Sequence, residues 1–210
     1  MKKLKRGVLI VFEGIDGSGK TTQAQILLSK LERRGFVSVY FREPSLGRWG
    51  REIKKKAALA DSVTPEEELD LFQKDRKENV EKNLIPSLRA GKVVILDRYY
   101  FSTIAYQGAK GIDPEVLRKM NEAFAVKPDL VFILDVKPEQ GLARIADRGT
   151  KDALFEREDY LVQVRRLFLS MKGKNIIHID ASQSQEAIAE SIDRIAMRFI
   201  VQMSTRLKRT

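Results

Sequence analysis

Residues Gly14-Ile15-Asp16-Gly17-Ser18-Gly19-Lys20-Thr21-Thr22 follow the apolar run Gly7-Val8-Leu9-Ile10-Val11-Phe12 after the single residue Glu13. Glycines at 14, 17 and 19 let the backbone turn several N–H groups inward, where together they can surround anionic oxygens. Lys20 adds a positive charge on a long arm, and Thr21 adds a hydroxyl of the kind that binds Mg²⁺. A helix beginning at Lys20 would aim its positive end at the same point. A strand, this spacing and then a helix read as a phosphate-binding loop for a nucleotide.

Three further groups carry candidate chemistry. Lys92-Val93-Val94-Ile95-Leu96-Asp97 is an apolar run ending in a carboxylate. Asp97 is placed either to hold Mg²⁺ beside the loop or to cap the next segment. Arg98 follows at once, a cation suited to the phosphate of a second substrate. Phe72 and Arg76 stand four apart, on one face of a helix, as a ring that can stack on a base and a guanidinium that can bond its edge. The plainer alternative for that pair is a core Phe and a surface Arg. Arg144, Arg148, Lys151 and Arg157 surround Gly149-Thr150, either as a lid closing over a triphosphate or as a solvated loop. His178, inside an apolar run, reads as structural.

These residues need a frame. Strand-length apolar runs recur at 7–13, 37–41, 93–97, 130–135 and 176–180, with helical patterns between them. The runs are rich in Val, Ile and Leu without alternation, which predicts a mostly parallel sheet covered on both faces. Helices are expected at 20–34, closed by Gly35, and from Thr64 towards Leu88. Thr64 serves there as N-cap, Pro65 as N1 and Glu67 as N3, with a disturbance near Pro86. Others open at Asp113-Pro114 and span 184–203. No linker or repeat divides residues 1–210, so one doubly wound domain is expected. In such sheets ligands sit beyond the carboxyl ends of the strands, at 13–22, 42–50, 97–108, 135–137 and 180–182.

Composition narrows the classes. With no cysteine there is neither a disulfide framework nor a thiolate metal site. No apolar stretch approaches a membrane span, and the basic residues 2–6 lead into the first strand rather than a leader, so the cytoplasm is the default. The net charge of +10 suits a nucleic-acid surface or a polyphosphate site. Acidic neighbours among the basic residues, as over 66–82, favour the second, and no nucleic-acid partner is expected. No Asn-Lys-x-Asp guanine motif is present.

Taken together, Phe12-Glu13-Gly14 through Thr22, Arg42-Glu43-Pro44, Asp97-Arg98-Tyr99 and Ser102-Thr103-Ile104-Ala105-Tyr106-Gln107-Gly108 resemble the thymidylate kinase family. The resemblance continues through Phe155-Glu156 and Ile179-Asp180-Ala181-Ser182 and covers nearly the whole chain. It implies a P-loop NTPase fold with a short lid near 144–157, and transfer of phosphate from ATP to dTMP with Mg²⁺. It further implies that Gly14 to Thr22 hold ATP, with Lys20 on its β- and γ-phosphates and Thr21 and Asp97 at the metal. Arg144 and Arg148 lie over ATP, and Asp180, Ala181 and Ser182 border adenine. For dTMP it implies Phe72 and Arg76 on the thymine, Ser102, Thr103 and Gln107 around it, and Tyr106 against the sugar. Arg98, with Arg42, takes the dTMP phosphate; Pro44 lies nearby, and Asp16 sits near the 3′-hydroxyl. A homodimer packed through helices is also implied.

The chain departs from the family pattern in two places. Family members carry a catalytic arginine either within the phosphate loop or in the lid, often just before Phe-Glu. Gly17 and Ser18 exclude the first form, yet Leu154 precedes Phe155-Glu156. Arg148 is the expected source of this cation, with Lys151 or Arg144 assisting. After Pro44, Ser45-Leu46-Gly47-Arg48-Trp49-Gly50 replaces a common Gly-Gly-Thr run, which makes Arg48, Arg51 and Lys54 candidate dTMP contacts. Two rivals stand beside this reading: a deoxynucleoside kinase, which would need a base near the 5′-hydroxyl, and a basic nucleic-acid-binding ATPase.

Overall fold

The computed structural model describes residues 2–57, 64–146 and 154–206. Five strands, β1 (Val8–Glu13), β2 (Ser38–Arg42), β3 (Val93–Asp97), β4 (Leu130–Asp135) and β5 (Ile176–Asp180), form one sheet in the order β2-β3-β1-β4-β5. The sequence predicts a mostly parallel sheet; every pairing among these strands is parallel. β1 and β3 are buried at every residue, as expected of central strands covered on both faces. Phe12 and Phe132 pack across β1 and β4, with ring centres 5.5 Å apart. Register pairs Phe12 with Asp97 and Arg42 with Asp97, so β1, β2 and β3 end level and release their loops on one edge.

The helices are α1 (Lys20–Arg33), α2 (Arg48–Ala57), α3 (Pro65–Asn79), α4 (Ile85–Arg89), α5 (Tyr100–Ala109), α6 (Pro114–Glu122), α7 (Pro138–Ala146), α8 (Leu154–Ser170) and α9 (Gln185–Arg206). α1 packs on α9, while α5 packs on α6 and α8. The predicted capping box opens α3: Thr64 Oγ1 accepts from the Glu67 N–H at 3.2 Å, and Glu67 returns a carboxylate oxygen to the Thr64 N–H at 3.1 Å. A π-helical turn, Val80–Leu84, joins α3 to α4, and the Ile85 N–H bonds back to the Val80 carbonyl. Pro86 accounts for the turn. It has no N–H to give, and its ring would strike a carbonyl four residues back in a regular helix. No helix among the described residues is long and apolar enough to cross a membrane.

Candidate active site

The phosphate loop is shaped by contact as much as by glycine freedom. Gly17 has φ of 76°, and a Cβ there would lie 2.0 Å from the Gly141 carbonyl oxygen. The loop therefore packs backbone to backbone on α7, and no side chain fits between them. Gly19, with φ of 90°, is the N-cap of α1. Inside the loop the Lys20 ammonium donates to the Ile15 carbonyl at 2.7 Å and is 6% exposed. Burial, with Arg98 adding repulsion, lowers its pKa to about 7 against the pull of Asp16, Asp97 and Glu13.

Asp97 ends β3 beside this loop. One carboxylate oxygen accepts from Thr21 Oγ1 at 2.5 Å and from the Tyr40 hydroxyl at 3.0 Å. Arg98 then turns into the left-handed region, with φ of 68°, and its N–H bonds the Phe12 carbonyl at 2.9 Å. That turn carries the guanidinium to the space between β1 and α5. One nitrogen donates to Ser102 Oγ at 3.0 Å, the other pairs with Asp16, and the group lies 5.2 Å from the centre of the Tyr106 ring.

Two cavities meet here. One of about 690 Å³ runs along the loop from Gly17 to Gln23 and is closed by Arg42, Arg144, Gln183, Gln185 and Ile188. The other, of about 330 Å³, lies among α3, α5 and α8. Its wall includes Pro44, Phe72, Arg76, Thr103, Tyr106, Gln107 and Tyr160. Asp16 and Arg98 line both.

Arg76 is not the surface cation that its type suggests. It is 1% exposed; Nε pairs with Glu43 at 2.8 Å, and one terminal nitrogen donates to Thr103 at 3.0 Å and Asn121 at 2.5 Å. Asn79 completes the set by donating to Glu43 at 3.1 Å. A buried charge held this fully has little freedom to reorient. Beside it the Gln107 amide donates to Glu68 at 2.7 Å, and Glu68 also pairs with Lys110.

The sequence pattern described as thymidylate kinase matches residues 12–192. The chain belongs to the thymidylate kinase family. A probable thymidylate kinase from Archaeoglobus fulgidus is 42% identical over 193 residues, 92% of this chain and 96% of its own. A thymidylate kinase of Akkermansia muciniphila is 45% identical over 196 residues, covering 93% and 94%. One from Brachyspira hyodysenteriae is 44% identical over 188, covering 89% and 92%.

Within this thymidylate kinase fold most sequence-identified residues gather at the two cavities, with several differences. Arg42 lines the larger cavity, not the smaller. Gly14 and Ile15 lie behind the loop, against β4. Asp180, Ala181 and Ser182 line neither cavity. Asp180 instead accepts from the Ser182 N–H at 2.9 Å and its hydroxyl at 2.6 Å, closing a local turn. The residues that face the space are Gln183, Gln185 and Ile188, just beyond. Arg144 reaches that turn by donating to the Ala181 carbonyl at 3.0 Å. Arg48 stacks on Trp49 at 4.7 Å and Arg51 bonds the Leu46 carbonyl at 2.8 Å; neither these nor Lys54 lines either of these two cavities. Arg148 and Lys151 lie outside the described residues.

Sequence reasoning placed Glu13 in the strand-end segment 13–22 but gave it no role. It is fully buried, and its carboxylate accepts from the Tyr99 N–H at 2.7 Å, the Ser102 N–H at 3.1 Å and Ser102 Oγ at 2.5 Å. Tyr99, the N-cap of α5, offers no side-chain cap of its own, so a carboxylate from β1 supplies it. Burial outweighs these bonds and the nearby Arg98, and raises the Glu13 pKa to about 7.

Proposed function

We propose that the protein transfers the γ-phosphoryl group of ATP to dTMP, giving dTDP on the route to dTTP. The carrying observation is the junction of the cavities: Asp16 and Arg98 line both, so a phosphate loop opens onto an aromatic-walled pocket of small-ligand size.

In this reading the loop N–H groups and Lys20 hold the β- and γ-phosphates, and Arg144 lies over the donor. Phe72 stacks on thymine, Arg76 donates to its edge, and Thr103 and Gln107 border it. Tyr106 packs on the sugar and disfavours a 2′-hydroxyl, Asp16 meets the 3′-hydroxyl, and Arg98 holds the acceptor phosphate. An oxygen of that phosphate bonds to the γ-phosphorus as the bond from γ-phosphorus to the β-bridging oxygen breaks. The acceptor oxygen is already ionised near neutral pH, so no general base is needed. The protein's task is alignment and charge neutralisation.

The donor set fits Mg²⁺. Thr21 Oγ1 and the Asp97 carboxylate are hard oxygens in contact, and no group of three or more His, Cys, Asp or Glu among the described residues could hold a metal alone. Phosphate oxygens and water would complete the shell. When bound, Mg²⁺ neutralises charge on the β- and γ-oxygens.

The lid cation in this reading is Arg148. Arg148→Ala should lower kcat far more than it raises KM for ATP; an unchanged kcat removes the assignment. We also infer a cytoplasmic homodimer. Val116 and Met120 on α6, 48% and 44% exposed and one turn apart, offer apolar surface for such packing, and sedimentation at varied concentration tests it.

The deciding assay is ADP release from ATP and Mg²⁺ with dTMP, dUMP, dCMP, thymidine or no acceptor. Strong dTMP-dependent turnover, weaker with dUMP and absent with thymidine, is expected. Turnover with thymidine alone would make it a nucleoside kinase. Release indifferent to every acceptor would overturn the kinase reading and turn attention to nucleic acid.

A further inference from the structure

Arg98 is held from two sides that differ in kind. On one side it pairs with Asp16, whose side chain is 37% exposed at the junction of the cavities. On the other, a terminal nitrogen donates to Ser102 Oγ at 3.0 Å, and that hydroxyl donates onward to Glu13 at 2.5 Å. Once Glu13 is ionised, above about pH 7, the direction of this chain is fixed by chemistry. An ionised carboxylate only accepts, a guanidinium only donates, and a hydroxyl has one proton to give. With its proton committed to Glu13, Ser102 can only present lone pairs to Arg98.

We propose that Glu13 is a positioning residue for Arg98, acting through the Ser102 hydroxyl. The Asp16 side faces the space where an acceptor phosphate would compete for the guanidinium. On the other side Glu13 is fully buried and Ser102 half-buried, and together they hold the arm while that exchange takes place. Glu13 also ties Tyr99 and Ser102 through their N–H groups, so the backbone of the first turn of α5 and the arginine arm share one anchor. Ser102, which lines the smaller cavity, thereby also acts on the phosphate-binding arginine. This inference rests on the reading of Arg98 as the holder of the dTMP phosphate.

The test is a double-mutant cycle with Ser102→Ala, Glu13→Gln and the pair, measuring KM and kcat for dTMP and KM for ATP. The amide introduced by Glu13→Gln can still accept from both N–H groups, but its NH₂ can face the hydroxyl and reverse it. Each single change should lower kcat/KM for dTMP on the order of tenfold, as loss of one hydrogen bond to a charged group does. The double variant should lose no more than the worse single one, with KM for dTMP rising well above any change in KM for ATP. Losses that multiply, or equal rises in both KM values, would overturn the relay. Should Glu13→Gln fail to fold, Ser102→Ala carries the test through nitrogen NMR of the Arg98 guanidinium. Its rotation about Nε–Cζ should quicken in the variant, and an unchanged rate overturns the relay. A wild-type protein that ignores dTMP would instead remove the substrate reading, and this inference with it.

Discussion

Arg98 sits where few side chains do. A left-handed backbone at a non-glycine residue costs roughly 1–3 kcal/mol, and here the Phe12 carbonyl and the two side-chain holds maintain it. The return is a planar fork that meets Ser102 with one nitrogen and Asp16 with the other. Lysine has one nitrogen and no fork. Arg98→Lys should therefore lower kcat/KM for dTMP by a factor on the order of 10², measured with dTMP varied at saturating ATP; a loss of only a few-fold would mean that charge alone suffices. Much of this chemistry was legible in the sequence, because Gly14 to Thr22 and Asp97-Arg98 act through their own local backbone. Glu13 was not legible. It reads as the end of an apolar strand, and its partners Tyr99 and Ser102 are 86 and 89 residues away.

Among the elements, strands were legible to within about a residue, since burial on both faces leaves an uninterrupted apolar run. Helices were legible where they announce their own start. Thr64 does so, and Thr64→Ala should cost about 1 kcal/mol of stability, seen as a lower denaturation midpoint with an unchanged slope. An unshifted midpoint would mean that the first turn of α3 contributes nothing to the folding free energy. α5 gives no such signal, because its cap comes from another strand. α2 misled for a different reason. Position 50 in this helix is glycine because a Cβ there would stand 1.9 Å from the Ser45 carbonyl oxygen, whereas in sequence 42–50 carried no helix signal. The turn at 180–182 was assigned to the adenine border from resemblance alone, whereas Asp180 satisfies its own loop and the cavity begins at Gln183.

At the scale of the whole molecule, one buried carboxyl sets a pH dependence of stability. Glu13 keeps its proton to about pH 7 when folded, against 4.5 for the ordinary group. The folded chain thus binds the extra proton between those values, so this contribution is full below pH 4.5 and is lost as pH rises through 7. The Glu13→Gln variant has no group to titrate there. Relative to it, the wild type should lose up to about 3 kcal/mol between about pH 5 and pH 8, read from denaturation at each pH; parallel curves would contradict the assignment. The all-parallel sheet, with β1, β2 and β3 ending level, explains why residues as distant as Asp16, Phe72, Arg98 and Arg144 face one continuous space. One contact beside that space also limits what position 17 can accept. Gly17 lies flush against Gly141. No residue with a side chain fits at position 17 while α7 stays where it is. The backbone of α7 would have to withdraw first, so the helix and not the loop sets which residues that position can take.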